Sequence, residues 1–248
     1  MVNAPPPAAV AAAGVSERLR ADPGLALEVA VLWLLLGLFV LYPLVMLLGR
    51  VFIDNGQFTL QGLAAVLTDR HQLQAFWNSL LLGTLVGLVG TVLGFAFAFT
   101  ATRCGLPRWI VGLIDIAVLL PLVSPPFTTA IGYIFSFGPR GLITYGVLGI
   151  KGVTVYGMTS TLTAESLTYF PIAYLTLRPM LAAIDSNIEG MALSLGASRW
   201  RVFRTVTLPL CTPGLANAFL LLFAASLADF ATPLILAGNQ FPVLPTQA

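Results

Sequence analysis

Long uncharged apolar runs alternate with short polar stretches along the chain. Val29 to Gly49 and Ser79 to Thr102 carry no charged residue. Trp109 to Phe137 is apolar except for Asp115. Val153 to Leu177 is apolar but rich in hydroxyls, with Glu165 inside it, and Pro213 to Gly238 holds Asp229. At about 1.5 Å of rise per residue, a helical run of some twenty residues crosses a hydrocarbon core of about 30 Å. The pattern therefore predicts about five membrane-spanning helices, at 29–49, 79–102, 109–137, 153–177 and 213–238. The fold class is all-α, a polytopic transmembrane helix bundle. The first run is too long for a signal-peptide core and ends in Leu-Leu-Gly-Arg, so it reads as a retained span, kinked at Pro43.

The stretches between the runs are of several kinds. Residues 1–28, Ala- and Pro-rich with Glu17, Arg18 and Arg20, predict a disordered tail, and 29–248 the transmembrane domain. Arg50 to Ala75 reads as a polar loop with a short interfacial helix over Gln57–Thr68. Pro125-Pro126 ends or sharply bends the third span. Gly138 to Gly157 is a loop or a partly re-entrant segment, and Arg178 and Pro179 mark the end of the fourth span. Within the second span Gly83, Gly87, Gly90, Gly94 and Ala98 recur at helical spacing. Such a smooth face lets another helix approach closely. It serves either as tight packing or as the wall of a translocation path.

Composition removes the soluble alternatives. Of 248 residues, 58% are hydrophobic and 9% charged, with a mean hydropathy of +0.92. Soluble domains carry about 25% charged residues. A net charge of +2 gives no nucleic-acid surface. Cys104, Cys211 and the single His71 form no metal-ligand spacing. Arginines and lysine are asymmetric across the predicted spans. Arg18, Arg20, Arg103, Arg108, Arg178, Arg199, Arg201 and Arg204 fall on one side, against Arg50, Arg70, Arg140 and Lys151 on the other. The positive-inside rule places the N-terminus and the richer side in the cytoplasm, and five spans leave the C-terminus outside.

Ser186 to Pro209 stands out as a compact basic segment between two apolar runs. Ser186 followed by Glu189 is a capping-box pattern, predicting a helix over Asn187–Leu195. Gly196 suits the left-handed position that ends a helix. Ser198 caps a second helix, Arg199 to Leu208, which Pro209 separates from the next span. Trp200, Phe203 and Thr207 share one face of it, as in a helix lying at the headgroups. Gly190 and Ala192 give the first helix a small-residue surface.

The run Glu189-Gly190-Met191-Ala192-Leu-Ser-Leu-Gly196-Ala197-Ser, ending in Val-Thr-Leu208-Pro209, resembles the EAA loop of permease subunits of bacterial ABC importers. Ala192 matches the motif's second alanine, Gly196 its glycine, and Leu208-Pro209 its end. Gly190 stands at the usual glutamate position, Met191 at the first alanine, and Glu189 one residue earlier. Further on, Ser226-Leu-Ala-Asp229-Phe-Ala-Thr232-Pro233 through Gly238 is similar to the ferric-iron permeases and their polyamine and aminoethylphosphonate relatives. The resemblance implies a MetI-like permease fold and a short loop helix docked in a cleft of a cytoplasmic ATPase dimer. It further implies a second permease unit, a periplasmic binding protein, and ATP bound by the partner, with no cofactor on this chain. The implied substrate is ferric iron, or else a polyamine or aminoethylphosphonate. Ferric-iron permeases often hold two such units in tandem, so a chain ending after one loop and one further span is expected to be a half-unit or truncated.

Charges inside hydrocarbon face protein or a water path. Asp229 with Ser226 and Thr232 makes a polar stripe on the fifth span, and Glu165 makes another on the fourth. These line a path, gate it, or join helices. Asp115 reads as structural. The chain has no Gly-x-x-x-x-Gly-Lys-Ser/Thr phosphate loop, so it is a transport subunit and not the ATPase. An ion-coupled secondary transporter would fit Asp229 and Glu165 equally well but gives no reason for the loop. An intramembrane hydrolase lacks its motifs.

Overall fold

The structure is a computed structural model that describes residues 22–54, 57–59 and 68–247. The chain divides into two units, residues 1–68 and 69–248. In the first, α1 (Pro23–Leu36) and α2 (Tyr42–Phe52) are joined by a wide π-type turn at Gly37–Leu41. Asp22 caps α1, its carboxylate accepting from the backbone N–H groups of Gly24 and Leu25 at 2.9 and 3.3 Å. Residues 23–28 are thus helical and not part of a disordered tail, because a cap and a proline in the first turn start the helix six residues earlier than hydropathy does. Residues 1–21 of that tail lie outside the described residues. Pro43 is accommodated without a break: the Tyr42 N–H reaches back to the Gly37 carbonyl across the wide turn. β1 (Ile53–Asp54) pairs antiparallel with β2 (Gln57–Phe58). Gln57 and Phe58 are therefore extended where an interfacial helix is predicted, and residues 60–67 of that helix lie outside the described residues.

The second unit is built on three long helices. α3 (Arg70–Arg103) is longer than the predicted span, and takes in Arg70 and His71 because Asp69 caps it, accepting from the His71 N–H at 2.8 Å. α4 (Arg108–Val123) and α5 (Pro126–Phe137) divide the predicted third span at Pro125-Pro126, and α4 lies at 109° to the segment Phe127–Val147 that α5 begins. α6 (Met158–Ala183) begins later than predicted and runs on through Pro171 and Pro179. α7 (Ser186–Ser194) and α8 (Arg199–Val202) follow. A wide turn at Phe203–Thr207 then leads directly into α9 (Leu208–Ala228). Pro209 does not separate α8 from the fifth span as predicted. The Leu208 N–H reaches the Phe203 carbonyl, the same solution as at Pro43, and one helix of 30 residues runs from Arg199 to Ala228. The fifth span ends at Ala228, ten residues short of the predicted Gly238. α10 (Ala231–Leu236) and α11 (Leu244–Gln247) close the chain. Among the described residues three helices are long and apolar enough to cross a membrane, or five if each bent pair counts as one span.

The core lies where α3, α6 and α9 meet, around Ala98, Phe170, Ala173, Tyr174, Leu177, Ala218 and Leu222. The glycine row of α3 is what lets them approach. Gly83 and Gly87 lie against the Phe223 and Phe219 rings of α9, and Gly94 against Ala173 of α6. The row is a packing surface here. Outward positions such as Leu88, Val92, Leu113, Ile116 and Leu120 are apolar and exposed, as a lipid solvent requires. Four hydroxyls inside the spans turn back on their own helix: Thr84, Thr100, Thr168 and Thr176 each donate to a carbonyl four residues earlier.

Candidate functional site

α6 ends at Ala183, and the chain turns at Asp185, whose carboxylate accepts from the Asn187 N–H at 2.9 Å. Asp185, and not Ser186, is the N-cap of α7; Ser186 is its first residue. The predicted capping box is not formed, because Glu189 is engaged elsewhere. At the other end the Gly196 N–H donates to the Leu193 carbonyl (3.0 Å) and the Ala197 N–H to the Ala192 carbonyl (3.1 Å). This is a Schellman ending, with Gly196 at φ +85° as it demands. Ala192 and Ala197 thus act through their backbones. Ser198 caps α8, accepting from the Arg201 N–H at 3.3 Å.

The two faces of α7 differ. Outward, Asn187, Gly190, Met191, Ser194 and Leu195 line a shallow hollow of about 530 Å³. Leu195 is 89% exposed and Met191 61%. Nothing lies within 4 Å of where a Gly190 side chain would start. Inward, one oxygen of Glu189 accepts from the Thr207 hydroxyl at 2.8 Å and lies 3.5 Å from the Arg103 guanidinium. Arg103 also donates to the carbonyls of Leu181 (3.0 Å) and Ile184 (3.1 Å), where α6 ends. Leu208 and Pro209 are the first residues of α9, directly after Thr207. The loop residues named from the sequence therefore come together, but Glu189 points into the bundle.

The second predicted group lies elsewhere, between α6 and α9. The Ser226 hydroxyl donates to Glu165, and both side chains are buried. Asp229 is not part of a continuous stripe on the fifth span. It sits at the break after α9, where its carboxylate accepts from the N–H groups of Ala231 and Thr232 at 2.9 and 3.2 Å. Tyr169 and Glu165 are its near neighbours. Thr232 is fully buried. Second oxygens of Glu165 and Asp229 and the Thr232 hydroxyl have no partner among the described residues. All four side chains are buried within this chain.

Sequence reading misses Arg103 as more than a topological charge. It also misses the triplet in which Asp115 of α4 accepts from both Tyr174 and Arg178 of α6, with Arg178 over the Tyr174 ring at 5.6 Å. Pairing an aspartate in one span with an arginine in another is the available signal.

Residues 90–248 match the family model described as the inner membrane component of binding-protein-dependent transport systems. The chain belongs to this family. It is thus a multi-pass membrane protein of the transport-subunit class, with the ABC-importer permease fold. It is 34% identical over 218 residues to a putative ferric transport system permease protein of Haemophilus influenzae, covering 86% of this chain and 34% of that one. The chain thus spans about a third of that relative's length. It is 34% identical over 175 residues to the molybdenum transport system permease protein of Escherichia coli, covering 70% of this chain and 75% of that one. In fold it is similar, with a TM-score of 0.79 and 15% identity, to a bacterial ABC transporter involved in the import of the polysaccharide alginate. That match covers 94% of this chain and 85% of the other.

Proposed function

We propose that the chain is the permease subunit of an ATP-driven importer, forming part of the substrate path and driven by a separate cytoplasmic ATPase dimer that binds the ATP. A second permease unit and a periplasmic substrate-binding protein complete the assembly. The α7–α8 segment lies on the cytoplasmic side, in keeping with its arginines Arg199, Arg201 and Arg204. One observation carries the reading: α7 turns Gly190, Met191 and Leu195 outward at the basic end of the bundle. An exposed apolar patch rimmed by polar groups marks an interaction surface. Small residues let the partner's backbone come near.

Ferric iron is the proposed substrate, supported by the ferric relative and by the Ser226–Gly238 run. Polyamine or aminoethylphosphonate import would use the same machinery. Proteoliposomes holding permease, ATPase and binding protein should take up radiolabelled ferric iron only with ATP on the ATPase side. Uptake should persist when an ionophore collapses the ion gradients. Uptake that follows the gradient and ignores ATP would mean an ion-coupled carrier built on Glu165 and Asp229 instead. Competition by unlabelled polyamine or aminoethylphosphonate would reassign the substrate.

A further inference from the structure

We infer that Arg103 and Glu189 form an internal strut that carries the movement of α7 into the spans, and that Glu189 is not a contact to the ATPase. This rests on the docking role proposed for α7. The pair lies where four elements meet. Arg103 belongs to the last turn of α3, and its guanidinium holds the Leu181 and Ile184 carbonyls at the end of α6. Glu189 belongs to α7, and the Thr207 hydroxyl it accepts belongs to the turn entering α9. A push on α7 thus meets the ends of α3, α6 and α9 through two side chains.

Burial makes the connection stiff. The side chains of Arg103 and Glu189 are 14% and 18% exposed, so water screens the pair little. Removing either partner leaves the other charge partly buried without its counterion. The backbone joint beside it is the weaker link: Ile184 and Asp185 are extended residues between α6 and α7, and the two helices meet at a 63° bend. Without the strut, α7 is free to swing on that joint while α6 stays still. The geometry also leaves room for a second state. Arg103 Nε is buried without a partner among the described residues, so its N–H can donate to the Glu189 carboxylate and make the pair two-pronged when α7 tilts.

The test uses the full importer in proteoliposomes, assembled with its ATPase, in a Cys104→Ser background. Thr159, exposed in the first turn of α6, is replaced by cysteine to report on the far end of that helix. Its labelling rate by a membrane-impermeant maleimide is read with and without ATP and vanadate, beside ATP hydrolysis. In Glu189→Gln and Arg103→Lys the nucleotide-driven change in labelling should fall by about tenfold while hydrolysis continues. Glu189→Asp should restore part of it. If those variants fail to assemble, Thr207→Val, which deletes one hydroxyl, should still lower the change. A full change in every variant overturns the strut. Cross-linking to the ATPase separates the two readings. Met191→Cys should cross-link and Glu189→Cys should not. Cross-linking by both overturns the inward role of Glu189, whereas cross-linking by neither overturns the docking role of α7.

Discussion

The Ser226 hydroxyl of α9 donates to the Glu165 carboxylate of α6, and the other Glu165 oxygen has no partner among the described residues. A buried acceptor that loses its last donor costs about 1–3 kcal/mol. Ser226→Ala should therefore lower the thermal unfolding midpoint of the detergent-purified protein. Glu165→Gln keeps volume and an acceptor, and should leave both stability and uptake near wild type. Loss of uptake at unchanged stability in Glu165→Gln would assign this residue to the substrate path.

Gly94 packs α3 directly against the backbone of α6. A Cβ there would lie 2.8 Å from the Tyr174 backbone nitrogen and 2.9 Å from the Phe170 carbonyl oxygen. Backbone atoms cannot swing aside, so Gly94→Ala should cost about 1–3 kcal/mol as overpacking does. The amount of folded protein recovered from membranes should fall. Gly112→Ala on α4, with nothing within 4 Å, is the control and should be neutral or slightly stabilising.

At Gly196 the constraint is conformational. Its φ of +85° suits glycine, and no atom lies within 4 Å of the place a Cβ would take. Gly196→Val should cost about 1–2 kcal/mol through left-handed strain, fray the end of α7 and lower uptake with the protein still in the membrane. Gly196→Asn should retain more uptake, since asparagine tolerates this region. Equal uptake by valine and glycine would show that the Schellman ending is dispensable.

Pro209 holds the wide turn before α9. Pro209→Ala permits a regular helix, in which one residue fewer per wide turn rotates everything upstream by about 100°. Thr207 would then turn away from Glu189. Uptake should drop while the membrane level of the protein is unchanged. Uptake at the wild-type level would mean that the wide turn persists without the proline.

The spans are legible in the sequence because an uncharged run of some twenty residues has one physical outcome in a bilayer. Their ends are not. Capping by Asp22 and Asp69, and wide turns that absorb Pro43 and Pro209, extend helices past the points where hydropathy or proline marks a boundary. The loop is legible from Gly196 and Ser198, whose roles are local. Glu189 reads wrongly as a capping residue because its partners, Arg103 and Thr207, are distant in sequence. Asp229 reads as part of a continuous helix for a similar reason: nothing local announces that α9 stops at Ala228 and that the Asp229 carboxylate accepts from the N–H groups of Ala231 and Thr232.

On the proposed function, the outward face of α7 meets an ATPase. Cysteines at Met191 and Leu195, both exposed, are the direct probes, with Trp109→Cys on the outer face of α4 as a control. In membranes co-expressing the permease and its ATPase, a short thiol cross-linker should join Met191→Cys and Leu195→Cys to the ATPase, with a yield that changes on adding ATP and vanadate. Trp109→Cys should give no such product. Absence of any cross-link from α7 in an assembled complex that still hydrolyses ATP would mean that α7 is not the ATPase-docking helix.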